Sequence, residues 1–287
     1  MSESWQVSEP KVLDVGGEGE RVRALDVGLI AGHIDVVTHD DSPTARLEVH
    51  EVEGRPLEIT WDGQTLRVAH VPSTGGGLWE ALRSLGSGNH RARARISLSV
   101  PQDATATVST VSADAVVSGL HSKTKVNTVS GDLTIDDIDG DIKAHTVSGS
   151  LEGRGLTGSL KAETVSGSIT IQDSRLDPVK FNTVSGDITA DLGSDQVSVD
   201  STSVSGDVTV RIPAGHGFNV SVSTMSGAAV VDGRELGGGL GRRGGSVVEG
   251  DESLRLKASS VSGDVVVLRA PSVVEGTGGP NLVKEDS

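Results

Sequence analysis

Eight positions recur four residues after a repeated Thr or Ser: Asp114, Asp132, Ser150, Ser168, Asp187, Asp207, Ala228 and Asp264. If the repeats stack, neighbouring side chains in this column stand about 5 Å apart. Like charges at that distance repel, so a cation such as Ca²⁺ held between Asp187 and Asp207, or between Asp114 and Asp132, is the chemistry such a column could support. The competing reading is that each Asp caps the amides of its own turn and stays solvated. It is favoured because the dense Gly-Gly-x-Gly-x-Asp nonapeptide of calcium β-rolls is missing. A second acidic group, Asp136, Asp137, Asp139 and Asp141, reads as a solvated corner. No cofactor is called for.

Other chemistry has less support. Polysaccharide-cleaving β-helices use carboxylate pairs and aromatic platforms, and this chain has no Tyr, two Phe and three Trp. No Gly-x-Ser-x-Gly elbow occurs. Gly239-Leu-Gly241-Arg-Arg-Gly244 matches a dinucleotide-binding string by letters, but no βαβ pattern surrounds it, so it reads as a flexible insertion whose Arg242-Arg243 pair is solvated. His33, His39, His121 and His145 lack ligand spacing. Arg91, Arg93 and Arg95 alternate with Ala and share one strand face, where acidic partners are expected. Asn219-Val-Ser221 is a glycosylation sequon in letters alone.

The net charge of −15 is spread over both halves of the chain. It opposes nucleic acid, which demands a basic stripe, and anionic membranes. No run approaches the 18 apolar residues of a spanning helix, so membrane insertion is not expected. The first residues, Met1-Ser-Glu-Ser-Trp5, show neither the basic start nor the apolar run of a secretory signal, which makes the cytoplasm the expected location. Cysteine is absent.

The elements that must carry these residues announce themselves by repetition. Thr-Val-Ser-Gly begins at Thr128, Thr146, Thr164 and Thr183, and varies to Ser203-Val-Ser-Gly, Thr224-Met-Ser-Gly, Ser260-Val-Ser-Gly and Thr110-Val-Ser-Ala. The starts are 18, 18, 18, 19, 20 and 21 residues apart, then 36 across a Gly-rich insertion. Val126, Ala144, Ala162 and Phe181 lie two before the Thr, and Val129, Val147, Val165 and Val184 one after; both sets form columns that can stack. Leu133, Leu151, Ile169, Ile188, Val208 and Val265 follow at five after, with Ile135, Ile171, Val210 and Val267 two further on. That is period-two strand patterning on either side of a corner. The corner pairs are Ser130-Gly131, Ser148-Gly149, Ser166-Gly167, Ser185-Gly186, Ser205-Gly206, Ser226-Gly227 and Ser262-Gly263, where a bend and positive φ are needed.

Such a repeat cannot bury its apolar face alone but can on its neighbours. The expected fold is all-β: a parallel β-helix-like solenoid of about eight 18–21-residue rungs with a β-rich N-terminal segment. Serial hairpins rolled into a sandwich are the rival. Residues 1–19 are expected to be flexible and 20–101 to form β-rich opening layers, with strands at 22–27, 34–38, 45–52, 57–61, 65–71 and 91–101 and a loop at 73–90 containing a helical turn near Leu78–Leu82. The repeat stack runs over 102–270 with its insertion at about 232–250, and 271–287 is expected to be a disordered tail.

Tandem Thr-Val-Ser-Gly-Asp-Ile-Thr rungs preceded by Ile96-Ser-Leu-Ser-Val-Pro101 resemble the bacterial putative-adhesin family of β-strand-repeat proteins, a domain of unknown function, over about residues 20–270. The resemblance implies a β-helix-like fold and brings no catalytic residues. The expected function is a non-enzymatic structural or interaction scaffold that binds a protein or cell-envelope macromolecule. Self-association through its ends, an exported surface adhesin and a carbohydrate-active β-helix enzyme are the alternatives.

Overall fold

The computed structural model describes residues 3–17, 19–70, 92–237 and 243–270, and every regular element in them is a strand. Two ladders run side by side along the molecule, joined at the glycine corners. The first passes through β1 (Glu3–Val7), β5 (Leu57–Trp61), β6 (Thr65–Ala69) and the first half of β3 (Ala24–His39). It continues through the first half of β8 (Thr105–Ser118), β9 (Thr124–Ser130), β11 (Asp139–Ser148), β13 (Thr157–Ser166) and the second part of β14 (Ile169–Ser185). It closes with β16 (Val197–Ser205), β22 (Leu254–Ser262), β18 (Phe218–Ser226) and β21 (Arg243–Glu249).

The second ladder begins with β2 (Lys11–Val15), β4 (Ala45–Gly54), β7 (Ala92–Pro101) and the second half of β3. The second half of β8, β10 (Leu133–Asp136), β12 (Leu151–Arg154), the first part of β14 and β15 (Ile188–Leu192) follow. β17 (Val208–Ile212), β23 (Val265–Arg269), β19 (Ala229–Val231) and β20 (Arg234–Glu235) complete it. From β6 in the first ladder and β7 in the second, the pairings onward to β18 and β19 are parallel, and in the repeats they are in register, Thr on Thr and Ser on Ser, whereas β5 with β6 and β4 with β7 are antiparallel. The terminal pairings, β1 with β5 and β2 with β4 at one end, β18 with β21 and β19 with β20 at the other, are antiparallel.

Several expectations change. Residues 1–19, read as flexible, supply β1 and β2. Parallel stacking starts before the first tetrapeptide, because β3 pairs with β8 along both its halves. Part of the Gly-rich insertion is ordered: Asp232 and Gly233 both take positive φ (49° and 76°), the conformation of a type I′ hairpin, β20 runs back from it along β19 and β21 lies antiparallel to β18. The loop 73–90, its helical turn and the tail 271–287 lie outside the described residues, as do most of Gly239–Gly244 and Arg91.

The most consequential difference is in order. The Ser260 repeat, last in sequence, is not last in space: β22 sits between β16 and β18, and β23 between β17 and β19. Identical columns make every repeat an acceptable neighbour for every other, so register alone does not decide sequence order.

The core is built from thin columns between the ladders. Val126, Ala144, Ala162 and Phe181 are buried, as are Leu133, Leu151, Ile169, Ile188, Val208 and Val265. The Thr of each repeat is buried with them, Thr128, Thr146, Thr164 and Thr183 being 3–5% exposed, whereas Val147, Val165 and Val184 are 45–49% exposed. The Val column therefore faces solvent, not the core. At the corner itself only glycine fits: Gly167 has φ +146°, and a Cβ there would overlap the Gly149 carbonyl oxygen one layer away.

Candidate binding surface

The corner Asp residues share one task. Asp114 Oδ1 accepts the Asp132 amide and Asp132 Oδ1 the Ser150 amide, both at 2.9 Å. Asp187 takes the Asp207 amide at 2.9 Å, Asp207 the Asp264 amide at 2.8 Å and Asp264 the Ala228 amide at 2.7 Å. The positive-φ glycine turns the next amide out of the backbone ladder, and a carboxylate one layer away takes the place of the missing carbonyl. The expectation that each Asp caps its own turn is thus corrected: it caps the next layer's turn, following spatial rather than sequence order. Each of Asp114, Asp132, Asp187 and Asp207 has one oxygen committed in this way. Among the described residues no group of three or more His, Asp or Glu is placed to hold a metal.

Three histidines stand in contrasting settings. His33 Nε2 lies 3.0 Å from Asp35 Oδ1 beside a cavity of about 470 Å³ lined by Glu51, Arg93, Arg95 and Asp114. Arg93 and Arg95 stand opposite Glu53 and Glu51 of β4, and Arg95 opposite His33 of β3, so their acidic neighbours come from the N-terminal layers. His145 Nδ1 lies 2.7 Å from Glu163 Oε2, and Lys161 and Asn182 reach the same carboxylate at 2.8 and 3.0 Å. Partial burial acts to raise the Glu163 pKa, but these hydrogen bonds and the nearby positive charges outweigh it and hold the carboxyl below its usual range. Burial lowers His145, against the pull of Glu163. His70 is fully buried, with Nδ1 accepting the Ile30 amide at 3.2 Å. Burial, aided by the charge of Arg55, pushes its pKa down to about 4. Its ring lies enclosed among the described residues of the core.

Arg243, one of the insertion arginines, belongs to β21 and stands 3.7 Å from Glu235. The sequon Asn219 donates to Glu252 at 2.9 Å. The acidic corner is partly engaged, with Ser159 donating to Asp141 at 2.7 Å.

What remains is surface, and it is patterned. Ten large apolar side chains of the described residues are exposed, and six of them, Val147, Val165, Val184, Val204, Val261 and Met225, form one column along the first ladder. Val111 and Val129 extend it, half-buried. Four residues away on the same strands, about 13 Å, Lys125, Lys143, Lys161 and Lys180 stack on consecutive layers. Lys161 pairs with Glu163; the other three form no ion pair among the described residues. Contiguous apolar surface of this kind marks interaction sites in soluble proteins. The sequence carried the signal in its parity: Lys125, Asn127 and Val129 share one strand face while Val126 and Thr128 share the other. A column that must put Lys in water must put the Val there too.

These features define a class, a repeat-built all-β protein with patterned outer faces. Residues 33–268 match the family Toastrack DUF4097, and the chain belongs to that family. No curated protein matches it. Similar solved structures include a "putative adhesin" of Bacteroides fragilis, 9% identical with a TM-score of 0.44, covering 90% of this chain and 97% of that one. A "putative lipid binding protein" of Parabacteroides distasonis is 12% identical with a TM-score of 0.37, covering 91% and 97%. A "putative cell adhesion protein" of Clostridium sporogenes is 13% identical with a TM-score of 0.27, covering 91% and 100%.

Proposed function

We propose that this protein is a non-enzymatic interaction scaffold, a parallel β-helix-like solenoid of about eight repeats closed at both ends by antiparallel strands. It holds an elongated macromolecule, a protein or an envelope polymer, against the outer face of the first ladder. The observation that carries this reading is the concentration of exposed apolar side chains in one column beside stacked lysines. A partner that fits offers apolar groups to the Val column and acidic groups to Lys125–Lys180. Against such a partner the lysines act locally, since the −15 net charge slows approach of any anion at long range. The corner carboxylates support a structural rather than a catalytic role, because they are occupied with backbone amides.

Site-specific photo-crosslinking in the native host tests this. A crosslinker at Val165 or Val184 is expected to capture one partner repeatedly, and one at Glu152 or Thr189 on the second ladder's outer face to capture little. Equal capture from both faces, or none from the Val column, would sink the reading.

A further inference from the structure

Strands β18 to β23 pair chiefly with one another. In the first ladder the order is β21, β18, β22, and in the second β20, β19, β23. They meet the rest of the molecule through single ladder steps, β22 on β16 and β23 on β17. Within the group, Phe218, Val220, Val222, Leu254, Leu256 and Ala258 are buried together. Arg269 stacks 4.9 Å over Phe218 and pairs with Asp232 and Glu249 at 3.3 and 3.2 Å. The chain enters the group once, through Pro213–Gly217, a connection holding Pro213, Gly215 at φ +85° and Gly217.

We propose that β18–β23 form an end module that exchanges between two copies of this chain, the module of each docking on β16 and β17 of the other. Two features of the fold carry this, and neither depends on the outer-face reading above. Because the last repeat lies inside the module's other strands, the module can assemble from its own strands and then present β22 and β23 as a finished docking edge. If each repeat had stacked in sequence order, the docking edge would instead be β18 and β19, the strands that follow β17 directly through the connection. The docking edge is also generic: Ser203 faces Ser260, Ser205 faces Ser262, and Asp207 takes the Asp264 amide, groups that every copy offers identically. In the closed chain the five-residue connection must climb past the inserted layer, a rise of about 10 Å from β17 to the level of β18. Extended, it spans up to about 20 Å. Short hinges of this type are where reciprocal exchange arises.

The absence of native cysteine gives a direct test. Thr202 and Ser259 are paired across β16 and β22; a Thr202→Cys/Ser259→Cys variant is refolded and oxidised at low and high concentration. Exchange predicts a covalent species of twice the chain mass that grows with concentration. A Thr107→Cys/Lys125→Cys control, paired within the body across β8 and β9, should close only within the chain. End-to-end association through open edges would leave both pairs closing within the chain, so it is told apart from exchange. Deleting Ala214 and Gly215 should shift the cysteine-free protein from monomer to dimer by light scattering. A Thr202/Ser259 pair that closes only within one chain at every concentration overturns the proposal. If that pair fails to oxidise, a folded hinge-shortened chain that stays monomeric overturns it instead.

Discussion

His70 shows how a single buried group can set the acid response of the whole chain. Its folded pKa of about 4 lies below the usual imidazole value of 6.5, so the folded state binds fewer protons than the unfolded one between those limits. Stability is therefore intact above about pH 6.5 and falls as pH drops toward 4, by about 3 kcal/mol if the whole shift is realised. Urea midpoints measured across that window should fall more steeply for the native chain than for His70→Gln. Parallel profiles would mean that His70 is not the sensor. Nothing in the sequence marked His70 out from the other histidines. Its burial comes from pairings between β3 and β6, which bring Gly28 and Ile30 over it, and those pairings are invisible to local pattern.

At the scale of the element, the corner divides what could be read from what could not. The tetrapeptide located the bends, and the alternation on each side located the strands; β4, β5 and β6 fall within a few residues of the expected 45–52, 57–61 and 65–71. Two expected strands, 22–27 and 34–38, proved to be one strand, β3, because Gly32 at φ +122° carries the chain round the corner without breaking the ladder. The sequence reading stacked the Val column without giving it a face; parity sets it opposite Val126 and the Thr, so Val147, Val165 and Val184 point to solvent while the Thr of each repeat is buried. This assignment of faces is testable. Val165→Thr should change stability by less than about 0.5 kcal/mol, as surface changes do, whereas Ile171→Thr, on a fully buried position, should cost about 2–4 kcal/mol through lost apolar contact and a stranded hydroxyl. Equal costs in chemical denaturation would refute the assignment of faces.

For the molecule as a whole, the ends matter most. A stack of parallel strands offers open edges at both extremities, and such edges recruit further strands. Here β1 and β2 cover one end and β20 and β21 the other, each running against its neighbour. The N-terminal cover was missed because Glu3–Val7 and Lys11–Val15 are short and largely polar outward. The C-terminal cover was hidden inside a Gly-rich stretch, although Asp232-Gly233 is a strong hairpin signal. Removing residues 1–17 bares β5 and β4. Light scattering of that truncated chain should show growth with concentration that the full chain lacks, and a strictly monomeric truncation would mean the edges are harmless.

The inserted last repeat also gives the molecule a mechanical character. Tension reaching the protein through the chain beyond Arg269 enters at a layer gripped from both sides, by β17 and β19. Drawing that layer out requires two seams to slip together in shear. A chain with its last repeat outermost would instead unzip along one seam, bond by bond. Strand β23 is thus held like a tenon in a mortise, fastened between two neighbours.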